Sequence, residues 1–143
     1  MCIRDRYKAS NAGVKIELQV RGICCLIPGV VNMSENIKVY SIVDRFLEHG
    51  RVYVFGNNGD EKMYIGSADL MTRNLDNRIE VLVPILDKDI FSKISVGLKL
   101  QLEDNVKRRI IGEGQVNEYV SEQGEYQNSS QHKIYDLLNS DGA

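Results

Sequence analysis

The sequence predicts an α/β layered domain, a mixed sheet flanked by helices. Three observations predict it: some stretches alternate apolar and polar residues with the two-residue period of a strand, others carry apolar residues at helical spacing, and the two kinds are interleaved along the chain. With 143 residues, 43% of them hydrophobic, the chain has material for one sizeable core, so one compact domain with a loose tail is expected.

Met1-Cys2-Ile3-Arg4-Asp5-Arg6 shows neither strand nor helix period. It resembles translated sequencing-adaptor read-through, so residues 1–6 are expected to be a non-native leader and Met1 not a true start. Val14, Ile16, Leu18 and Val20 then alternate with Lys15, Glu17 and Gln19, a half-buried strand that Arg21-Gly22 closes. Arg21 is thereby placed at a strand's C-terminal end. Ile23 to Ile27 is apolar without alternation and stops at Pro28-Gly29, which predicts a covered strand or a buried crossing segment.

Ser41 to Gly50 has Ser41 as an N-cap, Ile42, Val43, Phe46 and Leu47 on one face and Gly50 as a stop. A short helix is expected there, with His49 in its last turn. Val52–Phe55 and Met63–Ile65 flank Gly56-Asn57-Asn58-Gly59-Asp60-Glu61, whose residues tolerate positive φ, and predict a β-hairpin that Gly66-Ser67-Ala68-Asp69 leaves. Arg78 to Ile85 alternates again and is expected as a central strand. Asp87 to about Leu98 has a helical face of Ile90, Phe91, Ile94 and Leu98, although Leu98, Leu100 and Leu102 also fit a strand. Beyond residue 111 the composition turns polar until Ser130–Asn139 offers a last helix, so residues 112–143 are expected to form an arm.

The formal charge is -2 from 18 basic and 20 acidic residues, which argues against a nucleic-acid-coating protein and requires any anion site to be local. There is no run of 18 apolar residues and no secretory signal at the start, and the three cysteines suit neither a disulfide framework nor a metal set. A reducing, cytoplasmic location without a transmembrane segment is expected, with membrane association left open.

Chemistry is expected at three places. A histidine at a helix C-terminus is favoured in its protonated form by the helix dipole and can hold a phosphate, or act as acid or nucleophile. Arg21 at a strand's carboxyl end can fork onto two phosphate oxygens. Ser67, in the small-residue turn, can offer a hydroxyl and neighbouring amides to an anion, with Arg73 and Arg78 close behind. Each has a plain alternative: a structural or surface His49, an Arg21 paired with Glu35 or Asp44, and an ordinary turn at Ser67. A Walker-type phosphate loop is excluded, because Gly56–Gly59 lacks the lysine and the following helix. His49, His132, Cys24 and Cys25 have no metal-binding spacing.

Val20-Arg21-Gly22-Ile23-Cys24-Cys25-Leu26-Ile27-Pro28-Gly29, Ser34-Glu35-Asn36-Ile37, Phe46-Leu47-Glu48-His49 and Tyr64-Ile65-Gly66-Ser67-Ala68-Asp69-Leu70-Met71-Thr72-Arg73-Asn74 follow one another in an order that resembles bacterial polyphosphate kinase of the phospholipase-D-like type. The resemblance runs from about Tyr7 to Asp87 and more loosely onward. It implies a phospholipase-D-like domain over residues 7–111, the C-terminal part of a kinase that reversibly moves the terminal phosphate of ATP onto polyphosphate through a phosphohistidine, with Mg2+. It implies that Arg21 and His49 contact nucleotide phosphates. It further implies that the phosphohistidine and the Mg2+-binding residues lie in upstream domains of the same enzyme, a homo-oligomer when full length, so that this fragment alone is expected to be inactive. Against the phospholipase D pattern, Arg51 stands for lysine, Gly56 for aspartate and Asp69 for the last asparagine. A phospholipase-D-like phosphodiesterase or a non-catalytic phosphate-binding module stays as the alternative.

Overall fold

The computed structural model describes residues 3–112, 117–120 and 127–140. Met1 and Cys2 of the expected leader, and residues 113–116, 121–126 and 141–143 of the expected arm, lie outside them. The chain divides into two compact units, Met1–Leu47 with Gly97–Ala143, and Glu48–Val96.

In the first unit, helix α1 (Ile3–Asn11) is followed by strands β1 (Ile16–Gln19) and β2 (Ile37–Ile42). Ile3 to Arg6 are thus helical, contrary to the expectation that they lack a regular element. The sheet, completed by β6 (Arg108–Ile111) and β7 (Asn117–Tyr119), has the order β1-β2-β6-β7. Strand β1 runs parallel to β2 and the other pairs are antiparallel. The mixed α/β character read from the sequence is borne out.

The core of this unit forms because β2 is a central strand whose inward positions are Ile37 and Val39, both essentially inaccessible. Leu26 joins them, and Ile3 and Tyr7 of α1, Ile16, Leu18 and Val20, Cys24 and Ile111 pack around. Burying such side chains contributes about 1.5–3 kcal/mol each. Of the apolar run Ile23–Ile27, only Leu26 is buried, while Ile23 is 79% exposed. The expected covered strand is absent because side chains satisfy this segment's backbone. The Tyr7 hydroxyl accepts from the Ile27 amide at 3.0 Å, and the Ser34 hydroxyl donates to the Ile27 carbonyl at 2.6 Å.

The helix expected over Ser41–Gly50 is also absent. Ser41 and Ile42 finish β2, pairing with Arg109 and Arg108, and residues 43–51 are irregular. Helical spacing of Val43, Phe46 and Leu47 misled, because all three are exposed. The backbone of Phe46 is held instead by Gln131, whose Oε1 accepts from the Phe46 amide at 2.7 Å and whose Nε2 donates to the Phe46 carbonyl at 2.9 Å.

The second unit is a three-stranded antiparallel sheet, β3 (Val52–Phe55), β4 (Lys62–Gly66) and β5 (Leu82–Pro84), in that order. The hairpin is as expected: its loop places Asn57, Asn58 and Gly59 at φ of 42, 54 and 92, the left-handed region that asparagine and glycine tolerate. The strand expected as central, Arg78 to Ile85, is instead a short edge strand, Leu82–Pro84, extended by backbone bonds at Val81 and Ile85, and at an edge a proline without an amide hydrogen costs no ladder bond. A short helix, α2 (Thr72–Asn77), intervenes between β4 and β5.

Helix α3 (Lys88–Leu102) starts in this unit and ends in the first. Asp87 caps it, its Oδ1 accepting from the amides of Asp89 at 2.9 Å and Ile90 at 3.0 Å. The leucines at 98, 100 and 102 are helical, settling the ambiguity of their spacing. Helix α4 (Ser130–Ser140) follows the prediction closely, but its start is not a loose arm. Asp104, fully buried, receives the amides of Val106, Lys107 and Arg108 on Oδ1 and that of Ser130 on Oδ2, at 2.7 to 3.1 Å. No helix among the described residues is long and apolar enough to cross a membrane.

Candidate functional site

Arg21 leaves the sheet of the first unit directly: the Val20 amide still bonds the Tyr40 carbonyl at 2.8 Å, one residue past β1, and the chain then bends. Its side chain is exposed and forms no ion pair among the described residues. The pairing with Glu35 or Asp44 that the sequence left open is not made.

His49, Ser67, Arg73 and Arg78 all lie in the second unit. His49 sits in the irregular segment before β3, so the helix-dipole argument for its charged form falls with the helix. Its neighbours are Arg51 and Asp69. Arg51 Nε donates to Asp69 Oδ1 at 3.0 Å, Arg51 Nη1 to the His49 carbonyl at 3.2 Å, and Arg51 Nη2 lies 2.8 Å from His49 Nε2. The hairpin builds this cluster: the Gly66 amide bonds the Arg51 carbonyl at 2.9 Å, which brings the segment after β4 alongside Arg51. Tyr53 then pins that segment, its hydroxyl donating to the Ala68 carbonyl at 3.1 Å. The hydrogen bond from Arg51 holds the Asp69 carboxyl below its usual value; slight burial opposes this, and the charges of Arg51, His49 and Arg73 add to it.

Ser67 belongs to a second cluster. Its hydroxyl donates to Glu80 Oε2 and accepts from the Val81 amide at 3.0 Å, while Asn74 Nδ2 donates to Glu80 Oε1 at 3.1 Å. The Ser67 hydroxyl bond is also the leading cause that holds the Glu80 carboxyl below its usual value, and Asn74 and the charge of Arg78 work in the same direction. The single O–H of Ser67 is therefore committed to a carboxylate. The amides of Gly66 and Ser67 bond the carbonyls of Arg51 and Val81, so the expected offer of those two amides to an anion is corrected. Arg73, in α2, and Arg78, just after it, are exposed cations.

Sequence spacing brought Arg51 and Asp69 to notice only as departures from a pattern, and it missed Asn74 and Glu80. Asn74 is 2% exposed, and a buried amide six residues before a glutamate carries no local signal of the bond between them.

The fold is that of an α/β protein whose second unit sets His49 and Arg51 beside Asp69 just before β3, and Ser67 beside Glu80 just after β4. A family model described as Polyphosphate kinase C-terminal domain 2 matches residues 1–131. The polyphosphate kinase of Bacillus cereus is 57% identical over 107 residues, covering 75% of this chain and 15% of that protein. That of Yersinia pestis is 51% identical over 132 residues, covering 92% and 19%. The crystal structure of polyphosphate kinase from Porphyromonas gingivalis aligns with a TM-score of 0.93 at 44% identity, over 97% of this chain and 21% of that one. This chain belongs to the polyphosphate kinase family. It spans less than a fifth of the length of these two curated relatives.

Proposed function

We propose that this chain is the C-terminal part of an ATP:polyphosphate phosphotransferase, which reversibly transfers the terminal phosphate of ATP to polyphosphate through a phosphohistidine in an upstream domain. The observation that supports this most is the family match over residues 1–131, which spans Arg21 and the cluster of His49, Arg51 and Asp69. Phosphoryl transfer needs its equatorial oxygens neutralised and its reactants aligned, which is work for fixed cations. Arg21 clamps phosphate oxygens with its guanidinium fork, His49 meets the transferring group, and Arg73 and Arg78 add positive charge. Ser67 joins them once an anion competes with Glu80 for its hydroxyl. The departures at Arg51, Gly56 and Asp69 weigh against a phosphodiesterase of the phospholipase D type.

The resemblance adds Mg2+, held by upstream domains of a cytoplasmic homo-oligomer. Among the described residues no group of three or more His, Cys, Asp or Glu could hold a metal ion, and no step here passes through Mg2+.

Thermal unfolding of the whole chain with ATP or with polyphosphate tests the reading. A ligand at 100 times its Kd stabilises the fold by about 2.7 kcal/mol, so Tm rises with each. Arg21→Ala, an exposed position, keeps the unliganded Tm and weakens the rise. If neither ligand moves Tm, or Arg21→Ala leaves the response unchanged, the reading fails.

A further inference from the structure

A guanidinium has five N–H donors and no acceptor, and three of the Arg51 donors are engaged, on Asp69 Oδ1, on the His49 carbonyl and at His49 Nε2. At 2.8 Å from Nη2, His49 Nε2 must present its lone pair. The ring proton then resides on Nδ1. Asp69 Oδ1 also faces Nε2, at 3.6 Å, and taken alone would favour a protonated Nε2. That alternative sets two N–H groups against each other at 2.8 Å for the sake of a carboxylate beyond hydrogen-bond range. The shorter contact decides.

The His49 side chain is 62% exposed and that of Arg51 only 22%, so the cluster has a fixed half and a solvent-facing half. Because Arg51 grips both the carbonyl and the ring of one residue, the imidazole is held in orientation although water surrounds it. A solvated imidazole left to itself favours the Nε2–H form, and here the opposite form is imposed. Two other charges reach the cluster: Arg73 from α2, which acts on Asp69, and Glu80 ahead of β5, on which Arg51 acts.

We propose that Arg51, anchored by Asp69, is a positioning residue that holds His49 as its Nδ1–H tautomer, with the Nε2 lone pair turned to the guanidinium. The inference deepens the proposed function and rests on it for its consequence. When His49 meets a phosphate, the fixed positive charge beside it is that of Arg51, with two N–H groups left for phosphate oxygens, and Nε2 arrives as a proton acceptor rather than a cation.

The chain has two histidines, His49 and His132, so imidazole nitrogen NMR of the 15N-histidine-labelled protein is readily assigned with His132→Gln. In its neutral form, His49 of the ligand-free protein is expected as Nδ1–H. Arg51→Ala and Arg51→Lys shift it to mainly Nε2–H, since a lysine ammonium cannot bridge ring and carbonyl in one plane, and Asp69→Asn shifts it part of the way. An Nε2–H His49 in the unsubstituted protein, or an unchanged Nδ1–H form in Arg51→Ala, overturns the proposal. Adding inorganic tripolyphosphate separates the two readings. An Nδ1–H His49 in a protein that binds no tripolyphosphate leaves the positioning intact and removes the phosphate role, whereas binding with an Nε2–H His49 does the reverse.

Discussion

The Asp69 carboxyl owes its depressed pKa first to the bond from Arg51. A depressed folded pKa means that the ion pair is in place above the ordinary aspartate value, about 3.9, and is lost only as pH falls through the lower folded value. Carboxyl-carbon NMR should therefore find Asp69 ionised through the range where unperturbed aspartates titrate, and Arg51→Ala should bring its titration back toward that range. An unaltered titration in Arg51→Ala would show that the pairing is not what holds it. The sequence named Arg21 and His49 through resemblance, because one arginine after a strand and one histidine before a glycine are common. It could not join Arg51 to Asp69, 18 residues apart, without the hairpin register that sets Val52 opposite Ile65.

Among the elements, Asp104 holds together the end of α3, the start of β6 and the start of α4. Burial acts to raise its pKa, but the amides of Lys107, Ser130 and Val106 prevail and hold it below the usual value. Asp104→Asn places an NH2 where a backbone amide now donates, and should cost roughly 2–4 kcal/mol in denaturant unfolding. The stability that the carboxylate supplies is present above the ordinary aspartate pKa and is lost as pH falls through the depressed value. Gly66 marks the close approach of β4 to β5: an added Cβ would lie 3.0 Å from Leu82 Cδ1 and 3.3 Å from the Val81 carbonyl oxygen. Gly66→Ala should destabilise the second unit by about 1–3 kcal/mol and disturb the bond between Ser67 and Glu80, visible as a raised Glu80 titration. Elements with strong local signals, β1, the hairpin and α4, were legible in the sequence. Strand β2 was missed although Ile37 and Val39 alternate with Lys38 and Tyr40, because the helical spacing beyond Ser41 competed with it. Pairing with β1 and β6 decided the outcome, and spacing alone does not reveal partners.

For the whole molecule, a net charge of -2 means that a polyanion is not drawn in by bulk charge, so its binding must depend on a few placed cations and weaken as salt screens them. On the proposed function this chain binds phosphate chains through those cations, and an affinity that does not fall as salt is raised would contradict it. The most direct test is calorimetric titration of the whole chain with polyphosphate, comparing it with its Arg21→Ala and Arg51→Ala variants. The account predicts saturable binding that weakens by about tenfold or more in each variant, the loss of one charge-assisted contact of roughly 1.5–3 kcal/mol. Equal affinity in all three proteins, or no binding at all, would contradict it.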